Sequence, residues 1–208
     1  MRRQSMDAQE FLRKLAEGER NFQKVDLSCV DLSGVNLSGS SVKRLDLRFS
    51  KFAGANLMGV NLTYANLRSS NLIGACLKGA NLYMASFSNC DLSGANLSNA
   101  NAERASFSGA TLINANLSGA NLEGASLSRA NLERANLSGA NLHEAILFRA
   151  YLVNAILIGT DLTETDLLNA DFEGANLKNA NFKGGNYDMI DVKTVIVDNT
   201  TLPGGDVW

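Results

Sequence analysis

The feature that most constrains this chain is a five-residue repeat whose register holds over about three quarters of its length. Every position numbered 5n+2 from Leu27 to Phe182 is Leu or Phe, apart from Val42 and Ala102. The residue two positions earlier is usually Ala, the one between them is mostly Asn or Asp, and 5n+4 is Gly in 14 of the 32 units. A period of five fits neither an α-helix nor an ordinary strand, which indicates a repeat array.

The residue types within a unit predict how it folds. Gly and Asn tolerate positive φ, so position 5n+4 predicts a recurring turn with nearly extended chain between turns. Each unit then points one large and one small side chain inward. Each buried Leu contributes only about 1.5–3 kcal/mol. A single unit therefore cannot fold alone, and stacked coils must bury the leucines together.

The stretch ANLSGANLEG, residues 115–124, closely resembles the A(D/N)LXX signature of the pentapeptide-repeat proteins. The stretch GERNFQKVDL, residues 18–27, resembles the lead-in of cyanobacterial members. The resemblance implies an all-β fold, a right-handed quadrilateral parallel β-helix with four units per coil and about eight coils. At about 4.8 Å per coil the rod would be about 38 Å long.

Residues 1–21 are predicted to form an N-terminal arm and a short capping α-helix, because an open β-helix exposes unpaired backbone. The evidence is a capping-box pattern, an apolar stripe and a glycine stop, provided by Asp7 and Glu10, by Phe11, Leu12 and Leu15, and by Gly18. An amphipathic membrane anchor is the alternative interpretation of this helix.

Residues 22–184 are assigned to the β-helix and residues 185–208 to a degenerate last coil and C-terminal cap. Large side chains that keep the register continue into this last segment at Tyr187, Val192, Val197 and Leu202. The small inner position becomes Ile190 and Val195, which are too large for a narrow interior, so the segment is predicted to plug the helix.

Composition narrows the cellular setting. No apolar run is long enough to span a bilayer, and no apolar h-region follows Arg2 and Arg3, so we expect a cytoplasmic protein without a secretory signal. The three cysteines do not suggest a disulfide framework; the register places Cys29 and Cys76 outward and Cys90 inward. Net charge is −2, with basic residues concentrated towards the N-terminal half and acidic residues towards the C-terminal end.

No catalytic, cofactor or metal site is predicted. The single histidine, His143, falls on an outward position and lacks a second histidine or a cysteine pair. The asparagines beside each leucine are interpreted as coil-to-coil hydrogen-bonding groups rather than catalytic amides. Because a convex rod offers no cleft for catalysis, we expect a protein that is not an enzyme.

Apolar residues at outward positions predict an interaction surface, since most such positions carry Ser, Asn, Gly or a charge. We call the main cluster the apolar belt: Ile146, Phe148, Tyr151, Val153, Ile156, Ile158 and Leu168. Coverage of the belt by the C-terminal segment is the competing interpretation. A secondary candidate surface combines arginine, tyrosine and methionine, with an exposed Tyr–Arg ladder as its plainer interpretation: Arg44, Tyr64, Tyr83, Met84 and Arg104.

These observations favour a cytoplasmic interaction module or scaffold, in a regulatory role, that docks an unidentified protein partner without nucleic acid, membrane or cofactor. We expect a monomer or weak homodimer.

One alternative, implied by the resemblance, is a DNA mimic that binds gyrase, as fluoroquinolone-resistance members do. A DNA segment 38 Å long would carry about 22 charges, whereas residues 26–182 hold 13 acidic and 11 basic residues. The other alternative is a self-associating structural rod.

Overall fold

The computed structural model describes residues 6–22, 25–186 and 194–208. Its one helix, α1, spans Ala8–Ala16. The rest consists of coils joined by isolated parallel bridges between residues twenty apart, from the bridge of Asn21 with Ser41 to that of Asn181 with Thr201. Twenty residues are four repeat units, so each coil has four short sides and the structure is a β-helix.

Hydrogen bonds within one unit show how side and corner alternate. The N–H of Asn116 donates to Ala95 of the preceding coil at 2.9 Å, and the N–H of Leu117 donates to Asn136 of the next coil at 2.7 Å. The N–H of Ala120 then closes a turn onto Leu117 at 3.0 Å. Positions 5n to 5n+2 therefore form a side, and 5n+3 and 5n+4 form a corner.

The corner residue at 5n+4 has positive φ in every unit from Cys29 to Gly184, whichever amino acid is present. Such a φ at the third turn position, with a hydrogen bond between the first and fourth residues, is typical of a type II turn. Bulky side chains adopt it as well: φ is +59° at Phe49, +60° at Tyr64 and +53° at Met84. Because these residues disfavour positive φ, the stacking of coils imposes the turn.

The asparagine and aspartate side chains at 5n+1 mostly bond inside their own unit. Oδ1 of Asn116, for example, accepts from the N–H of Ser118 at 3.0 Å, and the same bond recurs along the rod. Amides bond from coil to coil in the Asn101–Asn121–Asn141 run, at 3.4 and 3.1 Å. The expected coil-to-coil role is therefore wrong for most units, where these residues brace the corner as Asx turns.

The inner positions form one continuous core. All residues at 5n+2 from Leu27 to Phe182 are buried, including the exceptions Val42 and Ala102. Phe87 and Phe107, one coil apart, stack with ring centroids 5.1 Å apart and planes 6° apart. The expected placement of large and small inward side chains is confirmed within the described residues.

Helix α1 covers the N-terminal end of this core. Asp7 caps the helix, since its Oδ1 accepts from the N–H of Glu10 at 2.8 Å. Phe11 and Leu15 are buried and join the core, so this face is occupied by the protein itself. The predicted apolar stripe is wrong at Leu12, which lies about 100° around the helix from Phe11, at the edge of the buried face, and remains 40% exposed.

The C-terminal segment keeps the five-residue register: Ile196 bridges Asn176, and Val195 and Leu202 are nine-tenths buried. The chain then doubles back, and Thr200 and Trp208 exchange two backbone hydrogen bonds of 2.9 Å. The predicted roles of Tyr187, Ile190 and Val192 lie outside the described residues, and the two boundaries between the three predicted segments remain predictions.

Candidate functional site

The apolar belt follows one coil around three consecutive sides. Ile146, Tyr151 and Ile156 occupy the centre of successive sides at position 5n+1. Phe148, Val153 and Ile158 occupy the corners that follow them, and Leu168 lies one coil beyond Phe148. The structure thus places six of the predicted belt residues on one coil of the rod and Leu168 on the next.

The belt is open to solvent. Tyr151 is 54% exposed, Ile146 41%, and Ile156 and Ile158 38% each, while Phe148, Val153 and Leu168 are half-buried. The C-terminal residues that could have covered the belt pair with Thr200 instead. The competing interpretation, in which this segment folds back over the belt, is therefore wrong for the described residues.

The four-sided coil limits how a partner can contact the belt. Adjacent sides face directions about a right angle apart, so a flat surface reaches at most two sides and the corner between them. The belt contains two such groups, Tyr151 and Ile156 with the corner at Val153 and Ile146 and Tyr151 with the corner at Phe148, and Tyr151, the most exposed side centre, belongs to both. A partner that uses the whole belt must wrap around the rod.

The belt residues displace a local hydrogen bond that other units possess. Position 5n+1 usually carries an Asn or Asp whose Oδ1 accepts from the N–H two residues later, as Asp161 does for Thr163 at 2.9 Å. Ile146, Tyr151 and Ile156 have no such acceptor. Three consecutive units thus forgo a bond that favours the turn, which indicates that the repeat alone does not require these side chains.

The secondary candidate surface is a column that the structure also assembles. The Arg44 guanidinium lies 5.2 Å from the Tyr64 ring centroid, and the rings of Tyr64 and Tyr83 meet edge to face at 5.7 Å. Met84 follows one coil on and is exposed, whereas Arg104 lies 3.9 Å from Glu103. Its aromatic members contact one another and Arg44, as the Tyr–Arg ladder predicts.

Sequence reasoning missed a groove along one corner column, which we call the serine groove. Its volume is about 500 Å³, and it is lined by Arg68, Ser88, Asn89, Ser108, Gly109, Ser128, Arg129 and Phe148. Beside it, serine hydroxyls link neighbouring coils: Ser88 with Ser106, and Ser108 with Ser126, each at 2.8 Å. The recurrence of serine at intervals of twenty was the sequence signal for it.

Further exposed apolar side chains were also missed. Phe49, Met58 and Ile73 lie at corners of three different columns, and all three are exposed. Their outward positions could be derived from the five-residue register. They are dispersed singly, as is normal for a protein surface, and form no second belt.

The chemically reactive side chains are dispersed as well. Nδ1 of His143 lies 2.8 Å from Oγ1 of Thr163, and Nε2 lies 3.6 Å from Glu144. Burial raises the pKa of the Cys90 thiol to about 12, whereas Cys29 is exposed and Cys76 half-buried, as predicted. Among the described residues, no three His, Cys, Asp or Glu side chains are grouped to hold a metal ion.

Within the ranges that the structure describes, no helix has the length and apolar character needed to cross a membrane.

Stacked five-residue units with a positive-φ corner in each define a β-solenoid repeat protein. Comparison with protein families gives the class directly: the model for pentapeptide repeats matches in eight copies, over residues 43–79, 85–124, 115–150 and 145–184. The chain belongs to the pentapeptide repeat family.

Two solved structures illustrate this relationship. The chain is 31% identical to HetL, a pentapeptide repeat protein involved in heterocyst differentiation regulation from the cyanobacterium Nostoc sp. strain PCC 7120; the match covers 98% of this chain and all of HetL, with a TM-score of 0.72. It is 21% identical to QnrB1, a plasmid-mediated fluoroquinolone resistance protein, over 82% of this chain and 92% of QnrB1, with a TM-score of 0.52. No curated protein matches the chain.

Proposed function

We propose that this protein is a cytoplasmic, non-enzymatic interaction module with a regulatory role, and that it docks a protein partner on the apolar belt. The observation that carries the proposal is the exposure of Ile146, Tyr151 and Ile156 at side-centre positions. At this position the fold itself favours Asn or Asp. An exposed apolar cluster on a soluble repeat array is typical of a protein contact surface.

The family supports the coarse part of this proposal. Pentapeptide repeat proteins are generally interaction or structural modules rather than enzymes, and HetL is a protein involved in regulation of differentiation. The convex surface of the rod agrees with this, because docking needs exposed side chains whereas catalysis needs groups that converge in a cleft.

The energetics of the belt point the same way. Replacing Tyr151 or Ile156 by Asn would restore the Asx bond to the N–H of Val153 or Ile158, worth about 0.5–1.5 kcal/mol. Side chains that break a local rule of the fold are expected mainly at functional sites. The belt therefore behaves as a site maintained at the expense of local stability.

The test is a double variant, Tyr151→Asn with Ile156→Asn, compared with wild type and with a matched variant of the secondary surface, Tyr64→Asn with Met84→Asn. Each protein is used as bait in cytosol of the native cell, with a photo-cross-linking residue at Ser118 and mass spectrometry of the products. We expect one protein to cross-link to wild type and to the secondary-surface variant but not to the belt variant. Thermal unfolding of the belt variant should match or exceed that of wild type.

Other outcomes would overturn the proposal. Loss of the partner only in the secondary-surface variant would move the site to Tyr64 and Met84. An identical set of cross-linked proteins for all three baits would exclude the belt as the docking surface. Cross-links to a second copy of the chain, together with a doubled mass in light scattering, would favour the self-associating rod.

Gyrase as the captured protein would establish the DNA-mimic alternative. Two observations disfavour it. The likeness to QnrB1 is one of fold alone at 21% identity. Residues 26–182 also carry nearly balanced charge, with 13 acidic and 11 basic side chains, whereas duplex DNA carries one negative charge per about 1.7 Å.

A further inference from the structure

We propose that the serine groove binds an extended acidic peptide segment of a protein partner. The inference rests on the proposed function because its ligand is part of a protein partner. It concerns a different surface, and it specifies that the bound segment is acidic and extended. Phe148 belongs to both surfaces and connects the groove to the belt.

The first argument is charge. Three columns of outward residues form the groove and the side that adjoins it. Each column consists of residues twenty positions apart, and the three contain Ser86, Ser88 and Asn89, respectively. Between Asp46 and Asp166 these columns contain no acidic residue, and their charged members are Arg48, which pairs with Asp46, and Arg68, Arg129 and Arg149. The nearest acidic side chain in the next column, Asp91, accepts hydrogen bonds from its own corner residue. The groove is therefore locally cationic although the net charge of the chain is −2.

The second argument is that these arginines lack counter-ions. Three other corner arginines, Arg48, Arg104 and Arg134, form ion pairs with an acidic side chain of their own unit, whereas Arg44 lies against the Tyr64 ring. Neither Arg68 nor Arg129 forms an ion pair with a described residue, and both are exposed. Two unneutralised guanidinium groups at defined positions are suited to bind carboxylates in charge-assisted hydrogen bonds.

The third argument is spacing. Arg68 and Arg129 are separated by three coils, which corresponds to about 14 Å at the strand spacing of a β-structure. In an extended peptide, residues i and i+4 point to the same side and lie about 14 Å apart. Phe148 lies four coils from Arg68, about 19 Å, which residue i+6 reaches at about 20 Å. The groove therefore fits acidic residues at i and i+4 and an apolar residue at i+6, in either chain direction.

The groove is also shaped for peptide backbone. Its middle carries Ser88, Ser108 and Gly109, which leave room for a ligand. The hydroxyls of Ser88 and Ser108 bond to those of Ser106 and Ser126, but a hydroxyl oxygen has two lone pairs and can still accept from a peptide N–H. The Asn89 amide lies over Gly109, where an added Cβ would come within 2.6 Å of Oδ1, and it supplies a further donor and acceptor.

A nucleic acid fits the same surface less well. Single-stranded binding sites combine a continuous cationic groove with exposed aromatic rings on which bases stack. Here two coils without a charged groove residue lie between Arg68 and Arg129, and the groove lining contains one aromatic ring, that of Phe148. The geometry thus favours two separated carboxylates over a run of phosphates.

The test uses the full chain and a fluorescein-labelled heptapeptide with aspartate at positions 1 and 5, phenylalanine at position 7 and serine elsewhere, together with its reversed sequence. The spacing control has its second aspartate at position 4. Binding is measured by fluorescence anisotropy at low salt and at 0.5 M salt. We expect one matched peptide to bind at least tenfold tighter than the spacing control, with affinity falling at high salt.

The protein variant is Arg68→Glu with Arg129→Glu, and the matched control is Arg104→Glu with Arg134→Glu. Glutamate is tolerated at both corner positions: Glu103 and Glu123 occupy position 5n+3, as Arg68 does, and Glu144 and Glu164 occupy position 5n+4 with positive φ, as Arg129 does. We expect the groove variant to lose at least tenfold in affinity and the control to stay within twofold, with unchanged unfolding temperatures.

Two results would overturn the inference: affinities independent of aspartate spacing or of the charge reversal, or tighter binding of an oligothymidylate through the same two arginines. The failure of the proposed function would look different. If the peptide binds but no captured protein depends on Tyr151 and Ile156, the belt is excluded as a docking surface and the groove is not. If a captured protein depends on the belt but the peptide does not bind, the groove is excluded as a peptide site and the belt is not.

Discussion

The ring of Phe11 in helix α1 packs against the ring of Phe22 in the first repeat unit, with centroids 4.5 Å apart and planes at 56°. Phe22 has no coil preceding it, so the helix takes the place of the missing neighbour. The cap therefore extends the core by one aromatic layer and protects the open end of the β-helix.

Removal of that layer should be costly. Phe11→Ala should lower the free energy of unfolding by about 3 kcal/mol, because a fully buried phenylalanine is truncated at a site that cannot collapse completely. Urea unfolding followed by circular dichroism measures this. Leu12→Ala, on the exposed side of the same helix, is the control and should change stability by less than 1 kcal/mol. Equal losses would show that α1 does not cap the core through Phe11.

Because one of the two corner residues in each unit has positive φ, glycine substitutions at the two corner positions should change stability in opposite directions. Phe49→Gly should raise the free energy of unfolding by about 0.5–1 kcal/mol, because Phe49 is held at φ +59° without being buried. Ala53→Gly, at a corner position without positive φ, should lower it by about 0.5–1 kcal/mol through backbone entropy. Thermal unfolding of the two variants should shift in opposite directions; shifts of the same sign would contradict the imposed turn.

Buried hydroxyls at the small inner position provide a second matched pair. The Ser70 hydroxyl donates to the Leu47 carbonyl at 2.7 Å and accepts from the N–H of Ser50 at 3.2 Å. The Ser40 hydroxyl is buried without a hydrogen-bond partner among the described residues. The equivalent carbonyl, 23 residues earlier, belongs to Glu17 at the end of α1 rather than to a coil.

Alanine should therefore act in opposite directions at these two serines. Ser40→Ala should stabilise the protein by about 1 kcal/mol, since a buried hydroxyl without a partner is removed, and Ser70→Ala should destabilise it by about the same amount. Chemical unfolding with both variants in parallel measures the difference. A loss of stability in Ser40→Ala would imply that this hydroxyl has a partner after all.

The three cysteines should differ in reactivity in the order of their burial. In the native protein at pH 8, iodoacetamide should modify Cys29 readily, Cys76 more slowly and Cys90 only after unfolding, because the thiolate is the reactive form and burial suppresses it. Peptide mass mapping of a time course measures the order. Rapid modification of Cys90 without denaturant would contradict its inward position.

The same thiol predicts a pH effect. The pKa of Cys90 is raised to about 12 in the folded protein, whereas an unfolded cysteine titrates near 8.5. Above that pH the unfolded chain releases the proton and the folded chain keeps it, so stability falls as pH rises through this window, by up to about 1.4 kcal/mol per pH unit. Cys90→Ala should remove this part of the alkaline destabilisation, and wild type and variant should respond alike at lower pH.

Several expectations depended on neighbours that a one-dimensional pattern does not contain. The asparagine at 5n+1 could bond to the next coil or to its own corner, and only the geometry of the turn selects the corner. Leu12 fits an apolar stripe by spacing, yet the core at this end buries Phe11 and Leu15 and leaves Leu12 exposed. Whether the C-terminal segment covers the belt depended on the path of the last residues, and Trp208 pairs with Thr200 instead.

The amino-acid sequence by itself determined which side chains are buried, where each turn lies and which outward residues break the pattern. It could do so because each unit repeats the same local interactions, and the inward direction recurs with the same period of five. The tertiary structure decided which outward residues meet. Residues twenty positions apart become neighbours only when coils stack, and this stacking brings Arg68, the serines and Arg129 into one groove. The exposure of the belt was likewise decided in three dimensions, because it depends on where the C-terminal segment packs.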